Sequence, residues 1–578
     1  MHTRMTLFSS FCFWILSLIA CTPQVPSPEE PDPDPVEKPQ IKAEIREVKL
    51  YEYPNAQISI DQTAAEIKAV LPYGSILGKA TIGYSAEEGL VIDPADGTTV
   101  DLKKSFKIFV TAPSGASKKY DFSASVAPSD VIKVKWLMAS EYYIKAEHSD
   151  SEYLFTFPYG ADLKKVKIEI ASDYALSSEP DLSAGIDLSE PREVKIFAED
   201  GKSFKTISLR AESYPKDSGV RGIYLPSPAH TSSFSSYSQL CESMDLLQEL
   251  NFNCLYVCAW AQTKAAWDSE VLYKNSTYAS PSAGNMYKSY SGGSGNAIAD
   301  MISEGEKRGI KVILWFEYGF MHGVGSVNMS DPLLAKHPDW IGLNSEGGYC
   351  NYNGTDFYLN SYSPEVQQFM IDLMLEAVER YPGLAGIQGD DRLPASPVNA
   401  GYNEETLKAY MDETSNPYPS SYKDSEWKNW RLKNLNDFAL KMHDAIKAAD
   451  ESVIVCFAPN KYPWACNNLS QDWPSWVKSG AAQMVTVQCY VTSNYERDLD
   501  SQMSYMRSVT EQVIVQPAMI LKNGPNLLSP QMLSEQLCYN RKQGTLGEAQ
   551  FWFEGLYNED LKQIFKLFYS YPVEFPKL

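Results

Sequence analysis

From residue 219 onward, short apolar runs alternate with longer amphipathic stretches, the rhythm of strands each followed by a helix. Strands are expected near 220–226, 254–260, 311–317, 384–390, 453–459, 484–490, 513–519 and 547–554, with helices such as 364–380, 427–449 and 561–569 between and after them. This pattern predicts an α/β TIM (β/α)8 barrel over 219–578, with its longest loops after the second, third and fourth strands; a doubly wound sheet is the alternative. Ahead of it, residues 41–213 show short alternating runs, for example 107–111 and 195–198, broken by Asp, Gly, Ser and Pro turns. That is the pattern of antiparallel sandwiches. The segment also repeats: Pro72-Tyr73-Gly74 and Asp101-Leu102 recur 86 positions later as Pro158-Tyr159-Gly160 and Asp187-Leu188, and Lys107-Ile108-Phe109 returns as Lys195-Ile196-Phe197. Two copies of one β-sandwich domain, 41–128 and 129–213, are therefore expected before the barrel.

The N-terminus reads as an address. Arg4 precedes an apolar run, Phe11 to Leu16, too short to span a bilayer but suited to a signal-peptide core over 1–20. Leu18-Ile19-Ala20-Cys21 resembles the bacterial lipobox, which implies cleavage before Cys21 and diacylation of its sulfur. A plain secretory signal with an incidental cysteine is the alternative. Residues 22–40 hold seven prolines and five acids, so the segment 21–40 cannot bury enough surface to fold and should run as an extended tether. The expectation is an exported, lipid-anchored bacterial protein of the cell envelope, monomeric. The repeats resemble the immunoglobulin-like modules that precede catalytic domains in Bacteroidetes-type surface lipoproteins.

Charge and composition then exclude function classes. A formal net charge of −22 argues against nucleic acid and against electrostatic docking on anionic lipid, and leaves uncharged polymers open as partners. The six histidines, at 2, 148, 230, 322, 337 and 443, show no zinc-ligand spacing, and no metal or cofactor is called for. No Gly-x-Ser-x-Gly, dinucleotide or phosphate-loop motif occurs; Gly201-Lys202-Ser203 lacks the upstream glycine, since Phe197 stands there. In an oxidising compartment the cysteines are free to pair. Cys254 and Cys258, four residues apart on an expected strand, are too distant for a disulfide and read as core thiols, whereas Cys350 and Cys466 lie in long loops where they can pair.

Barrel active sites form at the C-terminal strand ends, where an inward-facing polar side chain is tolerated. Parity places Gln388 and Asp390 inward on the fourth strand, with Asp391 turning into the loop, and Glu317 last on the third. The sixth strand alternates Thr486, Gln488 and Tyr490 against Val485, Val487 and Cys489; the seventh offers Gln516; the eighth sets Gln550, Trp552 and Glu554 inward together. Glu317, Asp390 and Glu554 are thus expected to converge on one mouth. Paired carboxyls, one protonated and one ionised, are what glycosidic cleavage needs. Trp260, Trp315, Trp464 and Trp552 are placed to stack on sugar faces, and Arg221 and Arg392 to pair with acids.

At these same residues the chain resembles a known family. Arg221-Gly222-Ile223, Arg308-Gly309-Ile310, Trp315-Phe316-Glu317-Tyr318-Gly319, His337-Pro338-Asp339-Trp340, Gly386-Ile387-Gln388-Gly389-Asp390-Asp391, Gln471-Asp472-Trp473, Gln488-Cys489-Tyr490 and Phe551-Trp552-Phe553-Glu554 look like the bacterial glycosyl-hydrolase-like family 10 barrel. The resemblance covers nearly all of 219–578 and implies a glycosidase of the envelope, some relatives acting on peptidoglycan glycan strands stripped of their peptides. It places Glu317, Asp390 and Asp391 in the family's most characteristic motifs. Two departures stand out: Val491 where an arginine commonly follows the Gln-x-Tyr, removing an anionic-substrate contact, and Gly389 where a larger apolar residue is usual, loosening the packing beside Asp390.

The expected chemistry is cleavage of a polysaccharide by Asp390 as the ionised carboxylate and Glu317 or Glu554 as proton donor, with Asp391 beside them. Gln388, Gln488, Tyr490, Gln516, Asp472, Trp315, Trp552 and Arg221 are the expected substrate contacts. The competing reading is a surface glycan-binding protein that keeps the barrel without the reaction; a third, binding by the repeats themselves, would call for aromatic clusters on their loops.

Overall fold

The computed structural model describes residues 40–491, 493–507 and 513–577. The expected signal peptide, Cys21 and nearly all of the tether lie outside these residues. The chain separates into two compact units with the boundary between Pro128 and Ser129.

In the first unit a three-stranded sheet (Ile45–Leu50, Lys79–Ala86, Thr99–Asp101) and a five-stranded sheet enclose one core. The five-stranded sheet runs in the order Gln57–Asp61, Glu66–Leu71, Ser117–Val126, Phe106–Thr111, Val91–Asp93, and its Glu66–Leu71 and Ser117–Val126 pair is parallel. Alternation makes the core: along Phe106–Thr111, Ile108 and Val110 are buried while Lys107, Phe109 and Thr111 face out.

Residues 129–213 repeat this arrangement. Trp136–Ala139 lies between Ile144–Lys145 and Ile168–Ala171, and a five-stranded sheet follows the order Glu147–Ser149, Glu152–Phe157, Phe204–Ser213, Arg192–Phe197, Ser177–Glu179. The second and third of these strands are again parallel. The sequence repeat therefore extends to the strand order of the five-stranded sheet, though the three-stranded sheet centres on Lys79–Ala86 in the first copy and on Trp136–Ala139 in the second; Gly74 and Gly160 take the same left-handed turn, at φ 82° and 81°. Unlike the first copy, this one belongs to the unit that holds the barrel.

The barrel is closed and parallel. Its strands are β1 (Val220–Leu225), β2 (Cys254–Cys258), β3 (Lys311–Phe316), β4 (Gly386–Gly389), β5 (Ile454–Phe457), β6 (Met484–Gln488), β7 (Ile514–Ile520) and β8 (Gly547–Phe551), with β8 returning to pair with β1. The helices after them are α1 (Tyr237–Glu249), α2 (Ala297–Arg308), α3 (Pro364–Arg380), α4 (Ser425–Ala449), α5 (Trp473–Ser479), α6 (Tyr495–Arg507), α7 (Pro530–Gln543) and α8 (Glu559–Phe568). Extra elements elaborate the loops after β2, β3, β4, β5 and β7, including a small antiparallel sheet of Met321–Val324, Asp356–Tyr358 and Asn351–Tyr352 after β3. Lys145 and Glu147 of the second β module meet Glu535 (3.3 Å) and Lys542 (3.0 Å) of α7. Among the described residues no helix is long and apolar enough to cross a membrane.

The interior is filled in layers. Gln516 Nε2 donates to the Tyr256 hydroxyl and to Thr486 Oγ1, both at 2.9 Å. Above them Tyr224 stacks on Tyr256 with centroids 4.6 Å apart and meets the Trp315 ring edge-on at 4.9 Å. Gly222 is what lets the Tyr256 ring lie here, since a Cβ at 222 would come within 2.6 Å of it.

Several expectations are corrected. Gln516 is fully buried in the middle of β7 with its amide spent on the core, so it contacts no sugar. Strand β8 stops at Phe551 and the chain enters a 3-10 turn, Phe553–Tyr557, so the alternation does not extend to Glu554. Cys350 and Cys466 are both buried free thiols rather than a pair, whereas Cys254 and Cys258 are the free, buried core thiols that were expected in β2. The expected looseness at Gly389 is absent: a Cβ there would lie 2.4 Å from the Leu393 carbonyl oxygen and 2.8 Å from the Phe457 ring.

Candidate active site

Strands β3 and β4 are neighbours, and each is followed at its C-terminal end by carboxylates: Glu317 after β3, Asp390 and Asp391 after β4. A single guanidinium reaches all three residues, through the side chains of the two aspartates and the backbone of Glu317. Arg392 Nη1 lies 3.2 Å from Asp390 Oδ2, 3.2 Å from Asp391 Oδ1 and 3.3 Å from the Glu317 carbonyl oxygen. The remaining donors come from β5 and β6. Gln488 Nε2 donates to Asp390 Oδ1 (3.0 Å) and to the Ala458 carbonyl (3.0 Å), while Asn460 Nδ2 donates to Asp391 Oδ2 (3.0 Å). Gln471 locks the loop behind them, its Nε2 donating to the Asp390 carbonyl (3.1 Å) and its Oε1 accepting from the Asn460 amide (3.1 Å).

The three carboxyls sit in unlike surroundings. The Asp390 side chain is 2% exposed and that of Asp391 17%. Burial, and then the charge of Asp391, push the Asp390 carboxyl well above the usual range, with Arg392 opposing. Burial also raises the Glu317 carboxyl, against the pull of Arg392 and of the Cys258 thiol, whose Sγ lies 3.2 Å from Glu317 Oε2. Half-buried beside the same cluster, the Tyr490 phenol is pushed well above its usual range by desolvation and by the surrounding acids; its ring packs on Phe551 with centroids 5.0 Å apart.

The other predicted residues divide. Glu554 stands apart from this cluster: its Oε1 accepts a long bond from Ser233 Oγ (3.5 Å), which in turn accepts from the Tyr557 hydroxyl (2.8 Å), and its Oε2 is buried without a partner. Trp552 is half-buried beside it, with Lys522 Nζ 5.7 Å over its ring. Gln388 is fully buried one layer beneath Asp390, and Trp315 is 2% exposed in the aromatic core. Neither is open to a ligand from the mouth. Trp260 is likewise core, donating its indole N–H to the Gly319 carbonyl (3.0 Å). Asp472 precedes α5 at the rim and accepts from Ser475 Oγ (2.5 Å), so it organises the start of that helix.

Arg221 is at the wrong end. It is the second residue of β1, on the face where strands begin, 1% exposed, bonded to Asp217 (2.8 Å) and to the Tyr571 carbonyl (2.6 Å) and stacked against Tyr569 and Tyr571. It ties the C-terminal segment across the barrel floor and does not meet a substrate at the mouth. Asn460 and Gln471 are neighbours of the site that the sequence left unassigned, and Cys258, read there as a core thiol, is buried but also reaches Glu317; Cys258 ends β2 and Asn460 lies three residues past β5, which is the signal that finds them. Among the described residues no group of three His, Cys, Asp or Glu side chains is arranged to hold a metal ion.

Comparison with known proteins adds a family. A family model described as glycosyl hydrolase-like 10 matches residues 219–526, just over half of the chain. Among curated proteins the chain is similar to glycosyl hydrolase DigH of Escherichia coli K12, 24% identical over 226 residues that make up 37% of this chain and 45% of that protein. DigH of Shigella flexneri matches to the same extent. The chain thus spans about half the length of the curated relatives it matches. Among solved structures, the glycoside hydrolase domain of PgaB (BpsB) from Bordetella bronchiseptica aligns with 61% of this chain and 99% of its own, at 10% identity and a TM-score of 0.44. A β-galactosidase from Marinomonas ef1 aligns with 60% and 59%, at 10% identity and a TM-score of 0.40.

Proposed function

The chain belongs to the glycosyl hydrolase-like 10 family, and we propose that its barrel cleaves O-glycosidic bonds of a polysaccharide, with Glu317 as proton donor and the Asp390–Asp391 pair as the opposing negative charge. The observation that carries this is the placing of differently surrounded carboxyls after adjacent strands at one barrel mouth, with one arginine bonded to the Asp390 and Asp391 carboxylates and to the Glu317 backbone. Glycosidic cleavage needs an acid kept protonated until it meets the leaving oxygen, and a carboxylate to activate water or to attack the anomeric carbon. Burial prepares Glu317 for the first task. Asp391 takes the second, because it is the more exposed of the pair and is held by Arg392 and Asn460. Asp390, pushed toward its protonated form, becomes the buried partner that fixes Asp391 and Arg392, a revision of the ionised role expected for it. Gln488 serves that positioning too, which leaves Tyr490 and Trp552 as the sugar contacts.

The substrate assigned to this mouth is an envelope polysaccharide, with peptidoglycan glycan strands as the first candidate. The anchor is a lipid on Cys21, the two β modules are immunoglobulin-like spacers between anchor and barrel, and the protein works as a monomer without a cofactor. Support for the anchor rests on the Leu18-Ile19-Ala20-Cys21 motif and the proline-rich tether. Labelling with radioactive palmitate that survives Cys21→Ala would remove it. The activity is tested by reducing-end release from denuded and intact peptidoglycan and from plant and host glycans, comparing the lipid-free protein with Glu317→Gln and Asp391→Asn. Release lost in both variants is the expected outcome. Binding without release in all three proteins would make this a glycan-binding barrel instead.

A further inference from the structure

Beyond the carboxylates, the loops that wall the mouth carry an aromatic pair that the chemistry leaves unused. Trp464 opens a short helix, Trp464–Leu469, in the loop after β5. Its neighbours Ala465, Cys466 and Leu469 turn into the core, while Trp464 is 41% exposed. Tyr352, half-buried in the small sheet inserted after β3, meets the indole edge-on with centroids 5.7 Å apart. Strands β3 and β5 flank β4, so the two rings join loops from either side of the strand that ends in Asp390 and Asp391.

The loop that holds Trp464 is fixed to the reaction centre at both ends. Asn460 is bonded to Asp391 and Gln471 to the Asp390 backbone, and the Trp473 indole donates to the Asn460 carbonyl (3.2 Å). In between, the helix leans on the β4 loop through the Ser396 amide to the Leu469 carbonyl (2.9 Å) and the Val398 amide to the Asn468 carbonyl (3.1 Å). Asn460 and Trp464 are four positions apart in the chain, so the two backbones are at most about 14 Å apart. Trp464 is therefore rigidly placed on the rim, within reach of the same extended ligand that touches Asp391. A flat apolar face beside polar groups suits the C–H face of a pyranose ring, and bracing by Tyr352 fixes its plane at little entropic cost.

We propose that Trp464, held by Tyr352, forms a sugar-binding subsite for a ring of the polysaccharide other than the two that flank the scissile bond. The inference rests on the glycosidase reading of the mouth and deepens it: the enzyme grips a run of sugars and favours long chains over short ones.

The test uses denuded peptidoglycan glycan strands fractionated by length, with Trp464→Ala, Trp464→Phe and Glu317→Gln. On long strands Trp464→Ala is expected to lower kcat/KM about ten-fold through KM, the size of one aromatic contact, and to leave kcat and the shortest cleavable fragments unchanged. Trp464→Phe should restore most of the loss. Affinity for the long strands, measured in the Glu317→Gln background, should fall by the same factor when Trp464→Ala is added. Unchanged length dependence together with unchanged affinity would overturn the subsite. An equal loss on short and long strands would overturn it too, since that places Trp464 at the scissile bond or in the fold. Glu317→Gln that cleaves as well as the wild type would instead defeat the proton-donor assignment. If the wild type cleaves none of the strands, the binding arm still decides the subsite: equal affinity with and without Trp464 defeats it.

Discussion

Arg392 is the group on which the site's electrostatics turn, and Arg392→Gln makes that quantitative. The substitution removes the cation 3.2 Å from both Asp390 and Asp391 and leaves two acids side by side, one of them 2% exposed. Stripping one partner from a buried pair costs about 3–5 kcal/mol, and because the arginine side chain is 26% exposed the lower end, about 3 kcal/mol, applies. Unfolding entropy of about 2 cal/mol/K per residue over the unit Ser129–Leu578 gives about 1 kcal/mol per degree, hence a fall of roughly 3 °C in melting temperature. The pH dependence carries the sharper sign. Asp390 titrates above its unfolded value, so between the two values the native state holds the extra proton and stability falls as pH rises, the reverse of an ordinary salt-bridged aspartate. Losing Arg392 pushes Asp390 further up, so in the variant the decline extends to higher pH. Adding Asp390→Asn should flatten that decline and recover part of the loss. Thermal melts from pH 4 to 8 read all of this. Arg392→Gln with the melting temperature and pH slope of the wild type would refute the reasoning.

Cys258 offers a finer probe. Its thiol donates to Glu317 and lowers that carboxyl's pKa, so Cys258→Ala should move the alkaline limb of the pH–rate profile to higher pH and Cys258→Ser, a better donor, to lower pH; coincident limbs would mean that Glu317 is not the acid. Arg221→Met should cost less than the about 3–5 kcal/mol of a fully stranded buried charge, because Arg541 stays 3.3 Å from Asp217, while KM and kcat at permissive temperature stay put. A raised KM in a well-folded Arg221 variant would return that residue to the mouth. Gly389→Ala should destabilise by about 1–3 kcal/mol, since its methyl group meets the Leu393 carbonyl and the Phe457 ring; a neutral effect in denaturant melts would count against the packing described beside Asp390.

The barrel was legible because strand and helix periods differ and because most of its strands are compact, largely apolar runs, β4 and β8 being the exceptions. Glu317, Asp390 and Asp391 were legible for a related reason: a carboxylate immediately after such a run has the barrel mouth to go to. The same logic, applied without regard to which end of the strand a residue occupies, misplaced Arg221, which begins β1, and Gln516, which lies in the middle of β7. The parity argument for Glu554 failed because alternation holds only while the strand lasts, and β8 ends three residues before it. Cys350 and Cys466 were beyond reach, since burial of loop residues is decided by tertiary packing that no local pattern records. The tie from Gln471 to the Asp390 backbone spans 81 positions and was invisible for the same reason.

The central claim is that Glu317 delivers a proton at this mouth, and turnover set beside binding tests it most directly. For the wild type and Glu317→Gln, kcat on the most rapidly cleaved polymer and affinity for that polymer are measured on the same preparations. The account predicts a fall in kcat of about 100-fold or more, the range expected for loss of a positioned acid, with affinity unchanged. A Glu317→Gln enzyme that keeps the wild-type kcat would contradict it.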